Sequence, residues 1–230
     1  MSKSRENWLV AFIDILGTKD MVKSGKFSDY HSLDFANPAG LMAIRYPLLR
    51  FAAFSDSVVV TSRPESVTDF LSVLNFMFSN WFSDFIFVRG GLAIGDLVWV
   101  DQPSIDVRFQ QASNLAFARL YGKALIEAIE LQEKSGPGMA CFVSDAAARV
   151  LEEVDKNLVF SGPTDILVWP TAEQLHHWCK TFAHLAMNQS FPPEFRRHIC
   201  ATHWYMTQIK KSRKAMPRGL SIIATPTTGG

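Results

Sequence analysis

Cysteine is scarce and poorly placed for its usual uses. Cys141, Cys179 and Cys200 form no CxxC pair and no Cys/His cluster, and an odd count makes a poor disulfide framework. The expectation is a reducing, cytoplasmic setting with the three thiols as small apolar core residues. An excess of one charge is also missing. Twenty-three Lys and Arg against 22 Asp and Glu leave a formal +1, which argues against a protein held on nucleic acid by bulk electrostatics. No run reaches the roughly 18 apolar residues of a membrane span, and the polar start lacks the apolar stretch and cleavage site of a signal peptide. Neither a nucleic acid nor a membrane is therefore an expected partner. The phosphate-binding pattern GxxxxGK[ST] is absent, and no Ser/His/Asp or Cys/His arrangement announces a covalent nucleophile.

Apolar side chains are plentiful. They make up 48% of the 230 residues, and 18 Phe with six Trp point to a dense aromatic interior or to a surface reserved for a second copy. Trp8 to Ile15 is nearly continuous in apolar character with one acid, Asp14, and reads as a buried strand closed by Leu16-Gly17-Thr18. A short helix follows from about Thr18, and residues 24–40, carrying Gly25, Asn37, Pro38 and Gly40, read as loop. Leu48 to Phe54 and Ser57 to Thr61, broken by Ser55-Asp56, form a hairpin pattern. A helix over 66–81, a strand over 85–100 with a turn near Gly95-Asp96, and a helix over 114–133 come next. A brief strand at 140–143 and a helix capped by Ser144 lead to two C-terminal helices, about 171–188 and 193–213.

Strands alternating with helices around one hairpin predict an α/β (α+β) fold, a ferredoxin-like βαββαβ sandwich with additional C-terminal strands and helices. One domain is expected over residues 1–216, its core at 8–143 and an extension at 144–216, with 217–230 as a mobile tail.

Two acids stand where structure alone gives little reason for them: Asp14 ends the most buried-looking strand, and Asp56 sits at the tip of an apolar hairpin. Each alone reads as a cap or turn residue. The topology makes them a pair, because the first strand lies beside that hairpin in the expected sheet, at roughly 4.8 Å between strands. Two adjacent carboxylates repel, and a divalent cation relieves the repulsion. The strand–Gly turn–helix segment that follows Asp14 offers backbone N–H groups to an anion.

Four segments in order, AFIDILG (11–17), FSDSVVV (54–60), VRGGLAIGD (88–96) and YGKALIEAIELQ (121–132), resemble the class III nucleotidyl cyclase core, most of all the small pyrimidine cyclases of bacterial Pycsar antiphage systems. The resemblance covers about residues 8–143. It implies that Asp14, Asp56 and the Ile15 carbonyl hold two divalent cations, Mn²⁺ or Mg²⁺, and that Leu16, Gly17 and Thr18 cradle the β- and γ-phosphates. It also implies a homodimer with active sites at the subunit interface. The product would be a second messenger acting on a separate effector.

The departures from the family pattern bear on the substrate. Adenylate and guanylate cyclases place a purine-reading Lys four residues before the second Asp, where this chain has Ala52. Their helix Asn and transition-state Arg fall at Ile126 and Glu130. A pyrimidine triphosphate, UTP before CTP, is the expected substrate. Arg50 is a candidate for the base pocket, its alternative being a sheet-edge residue; Arg119 and Arg89 are candidate transition-state cations, Arg89 reading first as a salt-bridge residue. A non-catalytic nucleotide-binding or dimerisation module competes with this reading. So does a palm-type polymerase, which should bring a larger chain and a basic template groove. His176, His177, His184, His198 and His203 show no i, i+4 pair suited to zinc. The basic run Lys210, Lys211, Arg213, Lys214 reads as a solvated helix end.

Overall fold

The computed structural model describes residues 6–25, 29–100, 120–212 and 214–220. The chain alternates β1 (Asn7–Ile15), α1 (Thr18–Lys23), α2 (Asp29–Arg45), β2 (Arg50–Ala53), β3 (Ser57–Ser62), α3 (Val67–Ser83), β4 (Val88–Asp96), β5 (Val98–Trp99), β6 (Leu120–Tyr121) and α4 (Lys123–Lys134). It continues with β7 (Cys141–Val143), α5 (Asp145–Val154), β8 (Val159–Phe160), β9 (Ile166–Leu167), α6 (Ala172–Met187) and α7 (Pro193–Lys211). The main sheet runs β2-β3-β1-β4-β7-β9-β8. Its first four strands are mutually antiparallel in the ferredoxin-like order, and β7 extends the sheet in parallel to β4. The expected fold class is the one observed.

Alternation along β1 separates two faces. Leu9, Ala11, Ile13 and Ile15 enter the large core beneath α2, α3, α6 and α7; Trp8, Val10 and Phe12 join a small cluster beneath α4. The large core takes most of the aromatics. Phe78 stacks on Trp169 at 5.4 Å, Phe82 meets Trp169, Trp178 and Phe182 edge-on, and the Trp81 indole N–H donates to the Phe35 carbonyl at 2.9 Å. The aromatic wealth is spent mainly on the interior.

The helix α4 lies directly on the sheet because β4 carries glycines beneath it. A Cβ at Gly91 would stand 2.0 Å from the Ala128 carbonyl oxygen, and one at Gly95 would touch Ala124 at 3.6 Å. At the start of the helix, a Cβ on Gly122 would come within 2.2 Å of the Asp96 carbonyl oxygen. These contacts give Gly91 and Gly95 a packing role beneath α4.

Three sequence expectations need correction. Residues 24–40 are not chiefly loop, since α2 fills 29–45 and runs through Pro38. Its Phe35, Ala39 and Met42, spaced i, i+4, i+7, are buried in the large core, and that burial outweighs the breaker residues. The helix expected from 114 begins at Lys123, because Leu120–Tyr121 pair with Val98–Trp99 as a β-ribbon and Gly122 holds an extended backbone. Residues 114–119 lie outside the described residues. The strand expected from Phe85 begins at Val88, and it ends at Asp96, where the turn was expected, before β5 takes up Val98–Trp99. Of the expected mobile tail, 221–230 fall outside the described residues, while Arg218–Leu220 form a 3₁₀ turn.

Gly91→Val should lower unfolding free energy by about 3 kcal/mol in urea titration, by driving α4 off the sheet. Gly40→Ala, in a helical position with nothing within 4 Å of the added methyl, should instead raise it by about 1 kcal/mol.

Candidate active site

Asp14 sits at the C-terminal end of the central strand, on the α4 face but beyond the end of that helix. The register places Ser57 of β3 opposite it on one side and Arg89 of β4 on the other. The Ser57 hydroxyl donates to Asp14 Oδ1 at 2.8 Å. One residue further on, the Ile15 N–H donates to the Asp56 carbonyl at 2.9 Å, which ties the end of β1 to the hairpin turn. The two acids, distant in sequence, are thereby brought to one edge of the sheet. Burial pushes the Asp14 carboxyl up from its ordinary 3.8 to about 6; the Asp56 charge pushes the same way, while the Ser57 hydroxyl and the Arg89 charge oppose. The Ser55 hydroxyl donates to Asp56 Oδ1 at 3.0 Å.

The turn after β1 is equally well fixed. Thr18 Oγ1 donates to the Ile15 carbonyl at 3.1 Å. Gly17 takes a left-handed conformation (φ 84°), which glycine alone adopts freely, and its carbonyl accepts from the N–H groups of Asp20 and Met21. Of the three expected phosphate-cradling residues, Leu16 has already committed its N–H to the Phe87 carbonyl at 2.8 Å. An anion at this turn would meet the Gly17 and Thr18 amides instead.

Arg89 is half-buried beside Asp14. Its Nη1 donates to the Gly136 carbonyl at 3.1 Å, and its buried Nε has no hydrogen-bond partner among the described residues. Burial pulls its pKa down, and the charges of Asp14 and Glu133 hold it up. Arg50 is placed differently. It faces Thr61, which pairs with Val10, four strand positions from the Asp14–Ser57 level and so about 13 Å along the sheet. Its guanidinium lies 5.9 Å from the Trp8 ring and 5.7 Å from the Trp99 ring. Arg119 lies outside the described residues.

Ala52 is part of the small cluster beneath α4 and brings no polar group to it. Ile126 is 59% exposed on the outer face of α4, and Glu130 pairs with Lys134 at 3.0 Å on that helix. Of the C-terminal histidines and lysines, His176, His198, Lys210 and Lys214 have structural partners. His198 accepts the Gly138 N–H at 3.1 Å, Lys210 and His176 Nδ1 are 3.2 Å apart, and Lys214 donates to the Lys156 carbonyl at 2.9 Å. Arg213 is outside the described residues. Sequence reading missed Ser57 and the Gly136 seat of Arg89. The Ser57 contact was recoverable from hairpin register, because the residue after Asp56 must face Asp14.

Among the described residues no group of three or more His, Cys, Asp or Glu gathers in a metal-binding arrangement. What Asp14, Asp56 and the Ile15 carbonyl offer is a small set of hard oxygen donors, suited to Mg²⁺ or Mn²⁺ that also bind substrate oxygens. Burial is the main cause of the raised Asp14 pKa, with the Asp56 charge adding to it.

No family model and no curated protein matches the sequence. Solved structures do match. The monomeric guanylyl cyclase domain of the RhoGC fusion protein from the aquatic fungus Blastocladiella emersonii superposes with a TM-score of 0.51 at 16% identity, over 72% of this chain and 96% of that one. The guanylyl cyclase Cya2 matches at TM-score 0.49 and 11% identity, over 73% and 93% of the two chains. The adenylyl cyclase CyaB from P. aeruginosa matches at 0.45 and 16%, over 72% and 94%. The fold, a mostly antiparallel sheet flanked by helices, is that of the class III nucleotidyl cyclase domain. No helix among the described residues is long and apolar enough to cross a membrane.

Because the folded-state pKa of Asp14 stands above its unfolded value, the folded chain binds more protons between about pH 4 and 6, and stability should fall as pH rises through that window. Asp14→Asn should therefore melt above the wild type at pH 7 without added metal, and the gap should close below pH 4. A constant gap across pH would contradict the assignment.

Proposed function

We propose that the chain is a divalent-cation-dependent nucleotide cyclase acting on a pyrimidine triphosphate, converting UTP to 3′,5′-cyclic UMP and pyrophosphate. The observation that carries this reading is the meeting of Asp14 and Asp56 at the end of β1, beside a glycine turn, within a cyclase-type fold. The substrate's 3′-hydroxyl attacks its own α-phosphorus and pyrophosphate leaves in line. Asp14, Asp56 and the Ile15 carbonyl would hold the two Mn²⁺ or Mg²⁺ ions, which when bound lower the hydroxyl's pKa and offset charge on the triphosphate. Ser57 holds the Asp14 carboxylate in one rotamer. The Gly17 and Thr18 amides face the terminal phosphates. Arg89, with an unpaired Nε beside Asp14, offers its charge to the phosphates, and Arg119 is the other candidate for that role.

The pyrimidine preference rests on Ala52 occupying the purine-reading position and on the family resemblance. Arg50, flanked by Trp8 and Trp99, is the proposed base-side residue, and CTP is the second substrate. The exposed Ile126 and Tyr121 on the α4 side suit a homodimer that completes each site. Its place as an antiphage second-messenger synthase in the cytoplasm, signalling to a separate effector, follows the resemblance. A second reading, a nucleotide-binding module without turnover, is favoured by Ile126 and Glu130 at the two catalytic helix positions.

Incubation with each of the four ribonucleoside triphosphates and Mn²⁺, followed by product mass, should give cyclic UMP first and cyclic CMP second. Asp56→Ala should abolish the product, and Arg89→Ala should cut turnover about 10²-fold or more. Thermal stabilisation by UTP without pyrophosphate release would favour the binding module; full turnover by Asp56→Ala would overturn the metal site.

A further inference from the structure

Behind the Leu16–Gly17 turn, on the large-core side of the sheet, lies a cavity of about 650 Å³, within the size range of small-molecule sites. Its inner wall is apolar, built from Leu16, Met21, Ile86, Phe87 and Phe195. Its rim is acidic: Asp20, Asp34, Asp84 and Glu194 line it and are exposed, and among the described residues no lysine or arginine does. Asp14 and Asp56 do not border it, while Ile15, Leu16 and Gly17 do, so the cavity adjoins the candidate active site from behind its turn.

We infer that this cavity is a binding site for a small organic cation with an apolar body, an ammonium on an aromatic or hydrocarbon stem. The apolar wall gives nothing to a bare hydrated ion, which would lose solvation there without gaining ligands. The four rim carboxylates repel nucleotides, free phosphate and organic acids. A cationic head at the rim and an apolar stem against Phe87 and Phe195 satisfy both surfaces at once.

The cavity walls lead to the chemistry. Phe195 lies 4.0 Å from where a Cβ on Gly17 would stand, so an occupant pressing on that ring bears on the phosphate turn. His198, on the same wall, accepts the Gly138 N–H, and Gly136 in that loop seats Arg89. An occupant therefore touches the supports of both the turn and the arginine, and it should change triphosphate affinity. This regulatory consequence rests on the cyclase reading; the binding itself does not.

Calorimetry on the full chain with phenethylammonium, 2-phenylethanol and 3-phenylpropionate tests the site. The ammonium should bind saturably at one site and weaken as salt is added, the alcohol should bind several-fold more weakly, and the carboxylate should not bind. Asp84→Asn with Glu194→Gln, both on the exposed rim, should weaken the ammonium about tenfold, about threefold for each charge. Met21→Trp should fill the cavity and abolish binding. Equal binding of alcohol and ammonium, undiminished binding by the rim variant, or no saturable binding would overturn the assignment. Binding with no change in the KM for UTP would overturn the regulatory role alone. Absence of turnover with every triphosphate would sink the cyclase reading while leaving the calorimetric result standing.

Discussion

A carboxylate held half-buried at the end of the central strand is the constraint around which this molecule's chemistry is organised. Desolvation opposes the charge of Asp14, and the neighbouring charge of Asp56 adds to the opposition. One serine hydroxyl and one partly buried arginine do not bring its pKa back to normal. A fold that keeps such a group departs from what stability alone favours, and departures of this kind concentrate where a site needs them. A cation shared with Asp56 would remove the conflict.

The scaffold makes that placement possible by dividing labour between the two faces of the sheet. The face under α2, α3, α6 and α7 carries a dry aromatic core and supplies most of the hydrophobic stabilisation. Among the described residues the opposite face carries α4, pressed closely onto Gly91 and Gly95. The hairpin turn is bonded to the end of β1 through the Ile15 N–H and the Asp56 carbonyl. The exposed outer face of α4, with Ile126, is available to a second chain.

Much of this was legible in the sequence because alternation is a strong signal. The continuous apolar run of β1 and the SDS break in the hairpin fixed the register class, and with it the meeting of Asp14 and Asp56. The failures have physical causes. Pro38 and Gly40 mark a loop locally, yet Phe35, Ala39 and Met42 bury a helical face that only tertiary packing reveals. The start of α4 depends on the approach of Gly122 to Asp96, a contact between segments well separated in the chain. β8 and β9 are two residues each, too short to show a period. Arg89 looked like a salt-bridge residue, but its hydrogen bond goes to the carbonyl of Gly136. The cavity behind the turn joins Gly17 to Phe195 across almost the whole chain, and no local pattern encodes it.

The central claim is that Asp14 and Asp56 jointly hold divalent cations beneath a triphosphate. Electron paramagnetic resonance of Mn²⁺, titrated into the protein with a non-hydrolysable UTP analogue, reads this directly. Protein-bound Mn²⁺ beyond what the nucleotide alone retains, lost in both Asp14→Ala and Asp56→Ala, is the expected result. Spectra identical to nucleotide alone, or binding that survives in both variants, would contradict it.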